Sequence, residues 1–357
     1  MAEHDRLNAG GALRLDRVSY SPEAWETTLE RYPDAEVFHS AAWLSFLEAS
    51  QDAEIVLAVV RDGSRPVGHF VGAIVRRYGV RILGSPLRGW GTQVMGFLLE
   101  PGVDRGAAAR ALLPFAFDEL GVLDVELADR RLTAAGMATS GYRQMAGRTY
   151  VVDLGRPEED IFRAMNAKTR QYVRRAERTG LRAEPATDLG FADEFHGHLR
   201  EVFARQGLVP PYGVERVRQL IEHVGPSGQL LLLRIRAPTG ETLATGLAIG
   251  RNSIAVNWGA ALPRAHAGEH PIQLFWWEAM RYWRARGATV YDMGGDGAYK
   301  ARYGGVETPA LSFHRPRHAV LDLGRSAVRS LMAARLRIAG GRQRTTGPAP
   351  EAAADGD

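Results

Sequence analysis

The chain has 357 residues, of which 45% are apolar and 24% charged, and its formal net charge is +4. These values exclude disordered, collagen-like and coiled-coil proteins and predict a globular chain of about two domains. The absence of cysteine excludes disulfides, thiolate metal sites and a cysteine nucleophile. The N-terminal segment does not have the pattern of a signal peptide, and no run approaches the length of a membrane span. We therefore expect a cytoplasmic protein without stable membrane insertion, and its basic balance favours anionic partners.

The first part of the chain predicts a helix followed by a hairpin. Residues 38–50 have the apolar spacing of a helix, and Ser40 stands where an N-cap is expected. Two strand-like runs follow, over 54–63 and 66–77, with an Asp-Gly pair between them that is typical of a tight turn. We expect an antiparallel pair of strands behind this helix.

A helix followed by an apolar strand then occurs twice, once in each half of the chain. The helices over 105–121 and 271–287 both end in glycine, the residue that best adopts the left-handed conformation after a last helical turn. Each following strand carries an acid five residues after that glycine, Glu126 in the first half and Asp292 in the second. A hairpin over 229–250 precedes the second pair. We infer two copies of one α/β unit.

The predicted fold class is therefore α/β (α+β), with two tandem domains that each contain a mixed, mostly antiparallel sheet flanked by helices. We place the first domain at residues 12–150 and the second at 151–320. The second domain would include a helical stretch over roughly 157–224. Residues 321–357 are expected to form a basic helix and a disordered tail.

Residues 158–180 give the clearest helical pattern in the chain. Apolar side chains fall on one arc, and cations fill the opposite side with a single acid, Glu177, at its margin. The cations are Lys168, Arg170, Arg174, Arg175 and Arg178. This face is either a solvated surface or a phosphate-binding one, and the predominance of arginine suits the second because guanidinium binds phosphate through two parallel hydrogen bonds.

The segment from Tyr291 to Gly305 reads YDMGGDGAYKARYGG. It matches neither the Walker phosphate loop nor the dinucleotide-binding glycine pattern. Glycines and Pro309 exclude a following helix, so we expect a loop between two strands that returns at Lys300. Asp292 and Lys300 are then either a strand end and a solvated lysine, or the acid and the cation of an active site.

Two tryptophans, Trp90 and Trp258, lie in or near predicted loops and are expected to line a pocket. The aromatic side chains of the helix over 271–287 are expected to pack between that helix and the sheet. The histidines lack the spacing of metal ligands, so no metal site is predicted.

Taken together, four segments resemble the Fem-type peptidyltransferases and related tandem GNAT-like proteins. They are FHSAAW, KTRQYVRRAERTGL, the helix and strand that end in VYDMGG, and YKARYGG, and they extend from Val37 to Phe313. The resemblance implies two acetyltransferase-like domains and a cleft for an acceptor that bears an amine. In Fem-type members the donor is an aminoacyl-tRNA and the acceptor is a peptidoglycan precursor. Tyr299 and Lys300 match the family's Phe-Lys before a glycine pair.

On this resemblance we expect an N-acyltransferase with no tightly bound cofactor that acts on an amine of a cell-envelope precursor or a related metabolite. Lys300 would stabilise developing negative charge, Asp292 or Glu126 would accept the proton, and the cations of 168–178 would hold phosphates. The donor would be aminoacyl-tRNA or acyl-CoA. The expected CoA-binding loop reads RAHAGEHPIQL with a single glycine, which favours tRNA.

Two alternatives remain open. The first is an acyl-CoA-dependent GNAT N-acetyltransferase that acts in polysaccharide or small-molecule modification. The second is a non-enzymatic module that binds nucleic acid or a membrane surface, for which binding would weaken steeply with salt and would not need Lys300.

Overall fold

The computed structural model describes residues 12–77 and 79–318. The basic helix and tail predicted for 321–357 lie outside these residues. In chain order, the elements up to the end of the first repeat and the strand that follows it are β1 (Arg14–Val18), α1 (Pro22–Leu29), α2 (Ala41–Gln51), β2 (Glu54–Asp62), β3 (Arg65–Arg77), β4 (Val80–Ser85), β5 (Gly96–Leu99), α3 (Arg105–Pro114), β6 (Asp124–Leu127), α4 (Ala134–Met137), β7 (Arg143–Met145) and β8 (Arg148–Asp153).

The remaining described elements belong mainly to the second repeat. They are α5 (Glu158–Ala164), α6 (Ala167–Arg178), β9 (Arg182–Ala186), α7 (Gly190–Ala204), α8 (Val214–Val224), β10 (Leu230–Arg236), β11 (Thr242–Arg251), β12 (Ile254–Ala261), α9 (Pro271–Arg284), β13 (Val290–Asp292), β14 (Val306–Pro309) and β15 (Ser312–Pro316).

The strands form two sheets, which confirms the predicted fold class. The first sheet has the order β1-β2-β3-β4-β6-β15-β7, with β5 paired to β3, and the second has the order β14-β8-β13-β12-β11-β10-β9. Each sheet contains one parallel pair, β4 with β6 in the first and β12 with β13 in the second, and the other described pairs are antiparallel. Both sheets are therefore mixed and mostly antiparallel.

The internal repeat is visible at these two parallel pairs. In each sheet a helix, α3 or α9, precedes the second strand of the pair, and the predicted glycines after it have positive φ, 64° at Gly121 and 89° at Gly287. Glu126 lies opposite Gly84 on β4, and Asp292 lies opposite Val256 on β12. The two acids thus occupy equivalent positions in the two halves of the molecule.

The chain crosses between the two sheets more often than a simple tandem division requires. The division predicted at residue 150 falls within β8, a strand of the second sheet. After β14 the chain returns to the first sheet, where β15 lies between β6 and β7. The domain boundaries remain a prediction, and β15 lies in the sequence range assigned to one domain while pairing in the sheet of the other.

The long helix predicted over 158–180 is wrong, because α5 and α6 are separate helices. Met165 has an extended backbone, and the Asn166 side chain caps α6 by accepting a hydrogen bond from the Thr169 amide at 2.7 Å. An N-cap asparagine satisfies an amide that has no partner inside the helix, and this starts a new helix at that point. The helical stretch predicted over 157–224 is likewise interrupted, by β9.

The apolar core joins the two halves of the molecule. Helix α2 packs against α8, and Trp43 and Leu44 belong to the same buried cluster as Phe195 and Leu220. The tryptophans of α9 are buried against the second sheet, as predicted. Among residues 12–77 and 79–318, no helix combines the length and hydropathy that crossing a membrane requires.

Candidate active site

A cavity of about 410 Å³ lies between the two sheets. Its first wall comes from the loop after β4 and from the end of β6, and it includes Arg88, Glu126 and Arg130. Its second wall comes from the start of β8 and the end of β13, and it includes Asp292 and Gly295. The volume suits a small ligand or the reacting end of a larger one. We call this cavity the cleft.

The equivalent acids of the two halves therefore face one cavity. Asp292 is 1% exposed, and its carboxylate is held on both oxygens. Oδ1 accepts hydrogen bonds from the Thr149 hydroxyl and from the Gly294 amide at 2.9 Å, while Oδ2 accepts one from Arg130 at 2.9 Å. Three donors therefore hold the Asp292 carboxylate in one orientation at the wall of the cleft.

Arg130 connects the two halves of the cleft. Its guanidinium donates to both Glu36 oxygens, at 2.9 and 3.0 Å, and to Asp292. Glu36 belongs to the first half and is 5% exposed. Burial alone would lower the pKa of Arg130, but Glu36 and then Asp292 raise it above the usual value. The group is a permanent cation shared by two buried carboxylates.

Glu126, on the opposite wall, is 4% exposed. Its Oε2 accepts a hydrogen bond from the Arg88 amide at 2.9 Å. The Arg88 amide thus ties Glu126 to the loop after β4, which forms part of the first wall of the cleft.

Lys300 lies behind the second wall of the cleft. It is in a 3₁₀ turn, Ala298–Tyr303, between β13 and β14, and it is 6% exposed. Its Nζ donates to the Gly294 carbonyl and to the Gly295 carbonyl, the second at 3.1 Å. Burial lowers the pKa of Lys300, and Asp292 and Asp296 oppose this. The lysine does not line the cleft itself, so the structure places it near the predicted acid but turned to the loop backbone.

Tyr299 precedes Lys300 and is 50% exposed, with its ring centroid 5.8 Å from the Lys300 Nζ. The predicted pocket-lining tryptophans lie elsewhere. Trp90 is 1% exposed in the shared apolar core, and Trp258 packs against that core with Tyr212, at 5.0 Å between ring centroids. Neither lines the cleft, because large apolar rings close to the interface between α2 and α8 are more stable when packed away from water.

The cations of α6 form a separate surface. Lys168, Arg174, Arg175 and Arg178 are exposed, and no ion pair among the described residues includes any of them. Arg170 differs, because its guanidinium donates to the Arg163 carbonyl at 2.9 Å and to the Met165 carbonyl, the last carbonyls of α5. The structure therefore leaves four of the five predicted cations available to an anion and assigns Arg170 to the junction of two helices.

Sequence reasoning missed Arg130, Glu36 and Thr149. Arg130 lies 162 residues before Asp292 and 94 after Glu36, and no local spacing links such distant residues. The one available signal was the internal repeat, because Arg130 follows Glu126 by four positions and the repeat had already singled out Glu126. In the described part of the chain, no group of three or more side chains could hold a metal ion.

Comparison with known proteins identifies solved structures with the same fold. Residues 163–303 match a family described as an acetyltransferase (GNAT) domain, and this match supports an acyltransferase. No curated protein matches the sequence significantly. Among solved structures, FemX is similar over 86% of this chain and 98% of its own, with 12% identity and a TM-score of 0.70.

Two further solved structures share this fold. L-PGS from Bacillus licheniformis matches over 88% of this chain and 96% of its own, with 15% identity and a TM-score of 0.53. A tandem GNAT protein from the clavulanic acid biosynthesis pathway matches over 85% and 98%, with 14% identity and a TM-score of 0.50. Residues 163–303 therefore resemble an acetyltransferase (GNAT) domain, and the chain shares the fold of FemX and of the tandem GNAT protein.

Proposed function

We propose that the protein is a cytoplasmic N-acyltransferase that moves an aminoacyl group from aminoacyl-tRNA to an amine of a cell-envelope precursor, such as a peptidoglycan precursor, or of a related metabolite. The observation that carries the proposal is the cleft, in which both strand-end acids of a Fem-like fold face one cavity. Aminoacyl transfer needs mainly a place to align an amine with an activated ester and a group to accept the proton.

In the proposed reaction the acceptor amine attacks the ester carbonyl carbon of the donor. A new C–N bond forms, and the C–O bond to the ribose breaks as the tetrahedral intermediate collapses. The amine loses one proton, and the departing ribose oxygen takes one up, so protons balance over the reaction. We assign the amine proton to the strand-end acids of the cleft, Glu126 and Asp292, and test Glu126 first because its carboxylate lines the first wall.

The start of α9 supports tRNA as the donor. In acetyl-CoA enzymes of this fold, backbone amides at the equivalent helix start hold the pyrophosphate. Here α9 begins at Pro271, which has no amide hydrogen, and the preceding His270 stacks on Tyr172 with ring centroids 3.7 Å apart. This aromatic pair covers the helix start, so the usual CoA contact is weakened.

The exposed cations of α6 supply the matching surface. Lys168, Arg174, Arg175 and Arg178 lie on the helix that carries Tyr172, and none of them forms an ion pair among the described residues. Unpaired cations on one helix face repel one another, and a phosphate backbone relieves this repulsion. We assign this face, which we call the α6 surface, to the phosphates of the donor.

The second candidate is an acyl-CoA-dependent N-acetyltransferase, which the description of the matching family favours. Transfer of radiolabel from a charged tRNA pool, and in parallel from acetyl-CoA, into a bacterial small-molecule extract separates the two. Wild type is compared with Glu126→Gln and with Glu222→Gln, a matched control on an exposed face of α8.

Label that moves from tRNA, falls at least about a hundredfold in Glu126→Gln and persists in the control supports the proposal. Label that moves only from acetyl-CoA contradicts the tRNA assignment and favours the second candidate. Transfer from neither donor, with binding to RNA that weakens as salt rises, favours a binding module.

A further inference from the structure

The turn at Gly294 and Gly295 forms part of the second wall of the cleft. Both residues have positive φ, 70° and 58°, a conformation that costs glycine little. A side chain at Gly294 is excluded, because its Cβ would lie 2.9 Å from the Asn257 carbonyl oxygen. Two successive glycines in this conformation do not hold one shape by themselves, since glycine has more backbone freedom than any other residue.

Charged groups hold this turn at its amide and at its carbonyls. The Gly294 amide donates to Asp292, and Asp292 is itself held by Arg130 from the first half of the molecule. The carbonyls of Gly294 and Gly295 both accept hydrogen bonds from the Lys300 ammonium. Hydrogen bonds that involve a charged group are about twice as strong as neutral ones.

We propose that Lys300 and Arg130 are positioning residues that clamp the Gly294-Gly295 turn, and that this clamp shapes the cleft. Lys300 acts through the turn carbonyls, and Arg130 acts through Asp292. The Lys300 ammonium donates to two carbonyls of the turn, and its side chain lies outside the cleft lining, so in this clamp it acts through the turn. The clamp itself is inferred from these contacts, and only the identity of the reaction in the cleft rests on the proposed function.

Arg130 is fixed in turn by Glu36, which accepts two of its hydrogen bonds. The clamp therefore joins the first half of the chain to the turn through an unbroken series of contacts, from Glu36 to Arg130, Asp292 and the Gly294 amide. Arg148 also pairs with Asp296, at 3.2 Å, but both side chains are more than half exposed, and a pair of that kind contributes little.

Hydrogen exchange of the substrate-free protein tests the clamp without any assay of transfer. Peptides that cover residues 293–300 are compared in wild type, Lys300→Met and Arg130→Gln, with Arg302→Met as the matched control. Arg302 is an exposed cation in the same 3₁₀ turn as Lys300, and its side chain makes no hydrogen bond among the described residues. Peptides from β10 and β11 report on global unfolding.

We expect exchange in the 293–300 peptide to be about tenfold faster in Lys300→Met and in Arg130→Gln, with β10 and β11 unchanged and Arg302→Met like wild type. Exchange at the wild-type rate in Lys300→Met would overturn the proposal and return Lys300 to the role of a charge donor. If Lys300→Met does not fold, Lys300→Gln is judged by the same criterion.

The outcome is separate from that of the proposed function, because no donor or acceptor is present. Faster exchange in a protein that shows no transfer from tRNA would retain the clamp and reject the reaction. Loss of transfer in Lys300→Met with unchanged exchange in the 293–300 peptide would reject the clamp and retain the reaction.

Discussion

The cleft and the α6 surface use the same residue type in opposite ways. In the cleft, Arg130 forms ion pairs with Glu36 and Asp292, and its charge stabilises these two buried carboxylates. On the α6 surface, Arg174, Arg175 and Arg178 are exposed and form no ion pair in the described structure. A cation paired with two buried carboxylates fixes the shape of a site, whereas an exposed cation outside any ion pair is available to a mobile anion.

The largest effect is expected where a paired cation is removed. In Arg130→Met two nearly buried carboxylates lose their partner, so we expect the free energy of unfolding to fall by about 3 kcal/mol. Urea unfolding measures the change. The matched control is Arg65→Met, which breaks an exposed pair with Glu100 and should cost less than about 0.5 kcal/mol. Equal losses in the two variants would remove the contrast between paired and exposed cations.

The α6 surface should show the opposite pattern, with a large loss of binding and little loss of stability. Replacing Lys168, Arg174, Arg175 and Arg178 together with alanine should weaken tRNA binding roughly a hundredfold in low salt and lower the salt dependence by about one unit per cation that contacts a phosphate. Fluorescence anisotropy at several salt concentrations measures both quantities. Unchanged affinity would mean that this surface is only solvated.

Below these in size is an effect of pH on stability. His39 accepts a hydrogen bond from the Glu36 amide at 3.0 Å, and burial lowers the pKa of His39 although Glu36 and Asp129 oppose it. The unfolded chain therefore binds a proton below about pH 6.5 that the folded chain does not, so stability falls as the pH decreases from 7 to 5.

His39→Gln should reduce that loss of stability by about 1 kcal/mol, as measured by urea unfolding at pH 7 and pH 5. The loss is not expected to disappear, because burial also lowers the pKa values of His69 and His198. A pH dependence identical to wild type would show that His39 is not buried as a neutral ring.

The smallest effect distinguishes two arginines of the same helix. Arg170→Ala removes donors from the last carbonyls of α5 and should cost about 0.5–1 kcal/mol, whereas Arg175→Ala should change stability by less than about 0.5 kcal/mol. Thermal unfolding of the two variants under one condition provides the measurement. The reverse order would contradict the assignment of Arg170 to the helix junction.

The fold was largely predictable because its signals are local. Gly121 and Gly287 end two helices, each followed by a strand with an acid at one offset, and this repeat gave the tandem arrangement. The break at Asn166 was missed because the apolar arc continues across it: Met165 and Thr169 are both buried although they belong to different elements. Periodicity reports burial, and it does not report whether the backbone remains helical.

The site was predictable only in part. Lys300 and Asp292 stand eight positions apart in the chain, and their proximity followed from the loop that joins them. Arg130 reaches Asp292 only because two sheets meet, and which surfaces meet depends on the pairing of α2 with α8 in the core. The direction of the Lys300 ammonium group, toward the carbonyls of Gly294 and Gly295, was not predictable either, because residue type and spacing carry no information about direction.

The position of β15 determines when the first sheet is completed during synthesis of the chain. Among the described strands, β15 alone attaches β7 to the first sheet, and β15 covers the edge of β6. The first sheet, although most of its strands come from the first 150 residues, is incomplete until residue 316 has left the ribosome. During synthesis the β6 edge is available to other chains, and a fragment that stops at the predicted domain boundary would carry the same uncovered edge.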